Sequence, residues 1–384
     1  MPAAASATAP ATAVTQTNTP QAPTAQPTNT AVFPTPPATP TTTATPWPVP
    51  ESTIDSPGAQ LPPGFSFKLF ADIYRPTSLA FSTDGALYIT SFDGTVHILR
   101  DTDSDGRADS DTLFAQGFNT ALGITLHPQS GDVYISDMGR ITLLRDTDSD
   151  GHADVRQEVV SGLPNGLHQN DNLKFGPDGM LYMGIGSTCD ACTEEDPRSA
   201  TIMRFNPETG EGEIIAAGLR NPFDLAFHPQ TGDLFATDNG RDDLGMEAPQ
   251  EELNHIIMGS HYGWPDCWDD QQGPMCAGTE TAVAFFESHS SANSLDFYTG
   301  SQFPPPYQNS LFVAIFGSWL KAGVQTGIQH ITLTPTDTGY TATAEWFATW
   351  PDGMPLGLIA GSDGALYVGD YINNKIYRIS YGSE

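Results

Sequence analysis

Two stretches of this chain place carboxylates at alternate positions ahead of a glycine. Leu-Arg-Asp-Thr-Asp-Ser-Asp-Gly occurs at 99–106 and again at 144–151. Asp101, Asp103, Asp105 and Asp109 in the first copy repeat as Asp146, Asp148, Asp150 and Asp154 in the second. Carboxylates at positions 1, 3 and 5 before a glycine match a calcium loop, because the chain must curl at the glycine to aim alternate oxygens inward. The acid expected at position 12 is missing, being Thr112 and Gln157, so these are not full EF-hand loops. The competing reading is a solvated acidic hairpin tip. A second set of reactive side chains, Arg75, His168, Arg220, Asn221 and His289, stands at equivalent places ahead of recurring strands. Two arginines in such a set imply a funnel for an anionic ligand. The alternative is that some of them only satisfy loop backbone groups.

The elements that hold these residues recur. Each copy is an apolar strand, a turn built on Asp-Gly or Gly-Asp, and a second strand rich in tyrosine and β-branched residues. Copies start at Ser78, Gly123, Asn172, Asp224, Ser294 and Gly357, the fifth being degenerate. The glycines fall where a hairpin turn needs positive φ. Third strands follow as TVHILR, ITLLR, TIMRFN, ELNHII, IQHITL and KIYRIS. The spacing suits one four-stranded propeller blade per copy. The sequence therefore predicts an all-β fold, a six-bladed β-propeller, in which FSFKLFA at 65–71 completes the last blade and closes the ring. The loops entering the innermost strands then converge at one end of the central channel.

Composition sets the surroundings. The chain has 384 residues and a formal net charge of −31, which repels phosphate backbones and anionic lipid and so argues against nucleic-acid and membrane-surface partners. No apolar run is long enough to span a bilayer, and no basic region followed by an apolar stretch marks a signal peptide at the N-terminus. Residues 1–60, rich in Ala, Thr and Pro, read as a disordered linker or stalk, with the propeller over 61–384. Cys189/Cys192 and Cys267/Cys276 form two local pairs; two disulfides are expected, a four-cysteine zinc site and a redox CxxC being the alternatives. The expected location is secreted, periplasmic or tethered to the cell surface by the stalk.

Several segments together carry a resemblance. LHQNDNLKFGPDGMLYMGIGSTCDAC (167–192), GLRNPFDLAFHPQTGDLF (218–235), TDNGRDD (237–243), EELNHI (251–256) and HYGWP (261–265) look like the soluble pyrroloquinoline quinone (PQQ)-dependent glucose/sorbosone dehydrogenases, over roughly residues 62–382. That resemblance implies a six-bladed propeller binding PQQ and Ca²⁺ and oxidising an aldose, a sorbosone-like sugar or another polyol. It implies His168 as general base, a role suited to an imidazole. It implies Arg220 and Asn221 on the quinone oxygens, and the backbone carbonyls of Gly240 and Arg241 on calcium. Gln169 follows the matching histidine, and Arg75, His289 and Lys321 complete the expected cofactor contacts.

The chain departs from that family where a His-Gly-Ser-Trp-Asn-Arg stretch is usual, carrying Phe316-Gly317-Ser318-Trp319-Leu320-Lys321 instead. It also carries Gly353-Met354-Pro355 in place of Gly-Arg-Pro. Both changes remove groups that would meet an anion. Without a haem-attachment motif of its own, a dehydrogenase would need an external electron acceptor such as a c-type cytochrome. Two alternatives stand beside this reading, a non-catalytic propeller binding a glycan or protein, and a calcium-dependent lactonase.

Overall fold

The structure is a computed structural model that describes residues 49–382; most of the segment read as a stalk lies outside them. Six sheets of antiparallel strands follow one another along the chain. The first blade is made of Pro76–Phe81, Leu87–Ser91, Thr95–Arg100 and Ser110–Gln116. The other five keep that inner-to-outer order, the third with an added fifth strand and the sixth with an outer strand from the start of the described chain. The innermost strands, Pro76–Phe81, Gly123–Leu126, Asn170–Phe175, Leu225–Phe227, Ala292–Phe297 and Pro355–Ala360, each touch the next around a closed circle. Six blades around a channel are what the repeats imply.

The ring closes through strands from both ends of the described chain. Phe65–Asp72 pairs antiparallel with Lys375–Tyr381, from Phe65 opposite Tyr381 to Asp72 opposite Lys375, and completes the sixth sheet. Phe65 meets Phe303, Tyr307, Phe347 and Tyr381 edge to face. Pairing extends ahead of Leu61, where the sequence places the start of the propeller. Phe67 N–H donates to the Thr53 carbonyl at 2.7 Å, and Gln60 N–H to that of Thr349 at 2.7 Å.

The apolar core lies between blades. Ala80, Val96, Ile98 and Phe114 of the first blade, for example, pack on Ile124, Val133, Ile135 and Leu144 of the second. Inner strands are buried along most of their length, and they carry buried polar residues such as Thr77, Ser78, Asn170, Asp171, Asn293 and Ser294 beside their apolar ones. Outer strands such as Ser110–Gln116 are mostly exposed and polar.

Blade 4 departs from the simple repeat. Its outer strand is only Ala284–Phe286, and Ser260–His261 instead joins the third sheet in parallel with Gly212–Ala217. The long insertion between them carries the Cys267–Cys276 disulfide, and Cys189–Cys192 closes the other pair. Both local bridges expected from the spacing form, and the four-cysteine zinc alternative falls away.

The two Asp-rich loops connect third and fourth strands of the first two blades. Each also reaches back to the blade before it. Ala108 N–H donates to the Phe70 carbonyl at 2.9 Å, and Ala153 N–H to that of Phe114 at 3.0 Å. The first loop thus straddles the seam where the ring closes.

Candidate active site

A cavity of about 320 Å³ opens among the entry loops, lined by His168, Arg220, Asn221, Asn239, Gly240, Asp242, Glu251, His289, Ser291, Ser318, Trp319 and Leu320. Larger grooves lie elsewhere on the propeller, one of about 900 Å³ between the first two blades. That groove is lined by Asp84, Arg100, Asp132 and Arg145, which are spent on ion pairs with one another. The entry-loop residues instead converge on the smaller cavity, which is therefore the candidate site.

His168 precedes the inner strand of blade 3. Its backbone N–H donates to the Ser187 carbonyl at 3.0 Å, and Ser187 N–H donates to the Arg220 carbonyl at 2.7 Å. Ser187 is thereby wedged between the two residues. A Cβ on Gly186 would lie 2.4 Å from the His168 Cβ and 2.7 Å from the Asn221 side-chain oxygen. Glycine alone allows that approach. His168 Nδ1 lies 3.0 Å from Ser187 Oγ, which donates its hydrogen to the Cys189 carbonyl at 2.6 Å. Burial, and then the Arg220 charge, push the imidazole down to about 3, so it is neutral at any ordinary pH.

Arg220 is buried and held by carboxylates. Its Nη2 donates to Asp190 Oδ1 and to Asp242 Oδ2, both at 2.8 Å. Asp190 also accepts from Asp242 N–H at 2.8 Å. The backbone N–H groups of Arg220 and Asn221 donate to Asp238 at 3.1 and 2.7 Å. His289 sits between Asp242 and the Gly245 carbonyl.

Below them Glu251 accepts from Gly240 N–H at 2.6 Å and Ser291 N–H at 3.3 Å. Burial raises Asp238 and Glu251 each to about 7, and Glu252 to about 8. The side-chain oxygens of Asn221 and Asn239 are buried without any hydrogen-bond partner. Buried acceptors are seldom left so, and both residues belong to the wall of the cavity.

The structure brings His168, Arg220, Asn221, Gly240 and His289 together, and leaves other expected contacts outside. Arg75 lies among Tyr74, Phe92 and Tyr371, its guanidinium carbon 5.2–5.9 Å from their ring centres. Gln169 ties its loop to the Thr120 carbonyl at 2.8 Å. Lys321 pairs with Glu287 at 3.2 Å and Glu247 at 3.5 Å. Arg241, expected to contribute its backbone carbonyl, sends its side chain to Asp243 and the Pro265 carbonyl. None of these four side chains lines the cavity.

The two family departures meet in space. Phe316 packs with Phe223 and Leu356, and Met354 lies against the same cluster. What would be a cationic edge is an apolar patch. Sequence reading passed over Ser187, Asp190, Asn239, Asp242 and Glu251. Asn239 and Asp242 stood inside the TDNGRDD motif and Asp190 inside the cysteine pair, but nothing in one sequence marks them as convergent.

In the acidic loops, Asp101, Asp103 and Asp109 each bring an oxygen within 4.8 Å of the others, and so do Asp146, Asp148 and Asp154. Asp105 and Asp150 stay out of these groups and accept the backbone N–H of Arg107 and His152.

A family model, "Domain of unknown function (DUF7133)", matches residues 56–378. The chain belongs to that family. An uncharacterized protein of Borreliella burgdorferi is 31% identical over 201 residues, covering 48% of this chain and 53% of that protein. Aldose sugar dehydrogenase YliI of Escherichia coli is 26% identical, covering 39% and 46%. The chain spans about half the length of these two curated relatives. Among solved structures, the holo PQQ domain of pyranose dehydrogenase from Coprinopsis cinerea superposes with a TM-score of 0.74 at 17% identity, covering 86% of this chain and 99% of that one. The likeness of fold to that PQQ domain thus extends over the whole propeller. No helix among the described residues is long and apolar enough to cross a membrane.

Proposed function

We propose that this DUF7133 propeller oxidises a sugar hydroxyl with PQQ and calcium, His168 removing the hydroxyl proton. The observation that carries the proposal is a neutral histidine and a buried arginine lining one cavity together with Asn221 and Asn239, whose buried amide oxygens have no hydrogen-bond partner. The fit to the cofactor pair rests on this donor set. Asn221 and Asn239 offer hard oxygens beside Gly240 and Glu251, which suits calcium, and Arg220 offers one cationic edge to a polycarboxylate. When bound, PQQ would supply the hydride acceptor and calcium would polarise it.

The remaining steps belong to the chain. His168 offers an unprotonated nitrogen to the cavity. The Arg220 charge opposes protonation of that histidine, so an anion seated on Arg220 raises its basicity. Trp319, 69% exposed at the lip, gives an apolar face against which a sugar ring can lie. Electrons would leave to an external acceptor such as a c-type cytochrome. The two disulfides suit a secreted, periplasmic or surface-held enzyme.

The carboxylates Asp190, Asp242 and Glu251 around a single arginine favour a second reading, hydrolysis of a lactone by a calcium ion in the same cavity. A dye-linked assay with aldoses, PQQ and calcium separates the two. Reduction of the dye that requires PQQ supports the dehydrogenase chemistry. Lactone hydrolysis with calcium alone, and no dye reduction, supports the other.

The two Asp-rich loops are also proposed to hold calcium, through Asp101, Asp103 and Asp109 and through Asp146, Asp148 and Asp154.

A further inference from the structure

We propose that Ser187 and the backbone carbonyl of Cys189, held in place by the Cys189–Cys192 disulfide, form a relay that fixes which nitrogen of His168 carries its proton. The inference rests on the reading of His168 as a base and names the residues that prepare it.

Donor and acceptor counts give the direction. A serine hydroxyl has one hydrogen. Ser187, fully buried, spends it on the Cys189 carbonyl at 2.6 Å. It can then only accept from His168, whose Nδ1 lies 3.0 Å away. The proton of the neutral ring is therefore on Nδ1, and Nε2, with no hydrogen-bond partner among the described residues, keeps its lone pair for the cavity. A base of this kind acts through the nitrogen left bare, and the bond made by the other nitrogen decides which that is.

The carbonyl can play this part only if its loop is fixed. The disulfide closes Cys189-Asp190-Ala191-Cys192 into a short ring. Within it, the Asp190 carbonyl accepts from the Trp264 indole N–H at 3.1 Å, and its carboxylate holds Arg220 and the Asp242 N–H. Beside it, Thr188 N–H donates to Glu194 at 2.7 Å. One loop thus orients the proposed base through Cys189 and the buried arginine through Asp190. Without the bridge, the Cys189 carbonyl is free to leave Ser187. The hydroxyl can then turn and donate to Nδ1, and the proton moves to Nε2, where it blocks the base.

The test is nitrogen NMR of the full chain labelled with ¹⁵N-histidine. The His168 ring signals are assigned with a His168→Asn variant. The wild-type protein should show Nδ1 protonated and Nε2 bare. Ser187→Ala should shift the tautomer ratio toward Nε2–H by roughly tenfold, the worth of one hydrogen bond, and Ser187→Thr should restore it. A Cys189→Ser/Cys192→Ser double variant, checked for a wild-type circular dichroism spectrum, should shift the ratio in the same direction. A wild-type ring protonated on Nε2, or a ratio that Ser187→Ala does not move, overturns the relay. A ratio untouched in a folded double variant removes the disulfide from it. This readout needs no turnover: if no sugar is oxidised while the tautomers behave as stated, the proposed activity fails and the relay stands.

Discussion

Arg220 is the residue on which the site's electrostatics turn. It is buried against Asp190 and Asp242, and its charge is the second cause, after burial, of the depressed His168. Arg220→Ala should therefore raise the His168 pKa toward the ordinary 6.5, seen by histidine NMR titration. It should also cost about 2 kcal/mol in urea denaturation, because two partly buried carboxylates lose their partner. An unmoved His168 would show that the arginine does not govern it. His168 and Arg220 were legible in the sequence, since histidine and arginine ahead of propeller strands are conspicuous in a chain with so few cations. Asn239 and Glu251 were not. Their role comes from burial and from an unpartnered oxygen, and neither has a sequence signature.

At the scale of elements, the two Asp-rich loops join blades as well as carrying carboxylates. Ala108 and Ala153 donate across the seam to the preceding blade, and His152 Nδ1 lies 2.9 Å from the Leu113 carbonyl of that blade. Calcium bound to these loops would strengthen both seams by mass action. Adding calcium to metal-free protein should then raise the melting temperature by several degrees, about the effect of 1–2 kcal/mol. The paired change Asp101→Asn with Asp146→Asn should remove most of that gain, as scanning calorimetry would show. No change on adding calcium would make the loops plain acidic turns. The loops were visible as motifs, yet their contact with the neighbouring blade was not, because a sequence does not say which strand a loop rests on. The extra strand Ser260–His261 escaped for a similar reason, being two residues within a long insertion.

For the whole molecule, the repeat count already specified six blades, and the unpaired strand at 65–71 already specified how they close. Phe67 is fully buried in that closing strand and packs on Trp350 and Tyr377. Phe67→Ala should cost about 3–5 kcal/mol in denaturation experiments; a loss below 1 kcal/mol would show that the closing strand contributes little.

The buried acids give the propeller a pH dependence of definite sign. Asp238, Glu251 and Glu252 keep their protons in the folded state to about 7, 7 and 8, well above their unfolded values. The native state thus holds more protons than the unfolded one, and these groups lose stability as pH rises from about 4.5 to 8. His168 acts oppositely, adding stability as pH rises from about 3 to 6.5. Burial also raises Asp171, Asp269 and Asp296 and lowers His228, His255, His261 and His330. The histidine gain is complete by about 6.5, while Asp238, Glu251 and Glu252 go on losing stability to about 7, 7 and 8. Metal-free protein should therefore be more stable to denaturant at pH 5 than at pH 8. The reverse order would mean that these carboxyls are ionised in the fold.

The most direct test of the account is titration calorimetry of the purified protein with PQQ, with calcium and again after chelation. The account predicts binding that needs calcium and is weakened at least tenfold by Arg220→Ala. Phe316 and Met354 should hold its affinity near the micromolar range, because they replace a cationic edge with an apolar one. Absence of PQQ binding in the presence of calcium would contradict the account and leave the cavity to calcium-dependent hydrolysis.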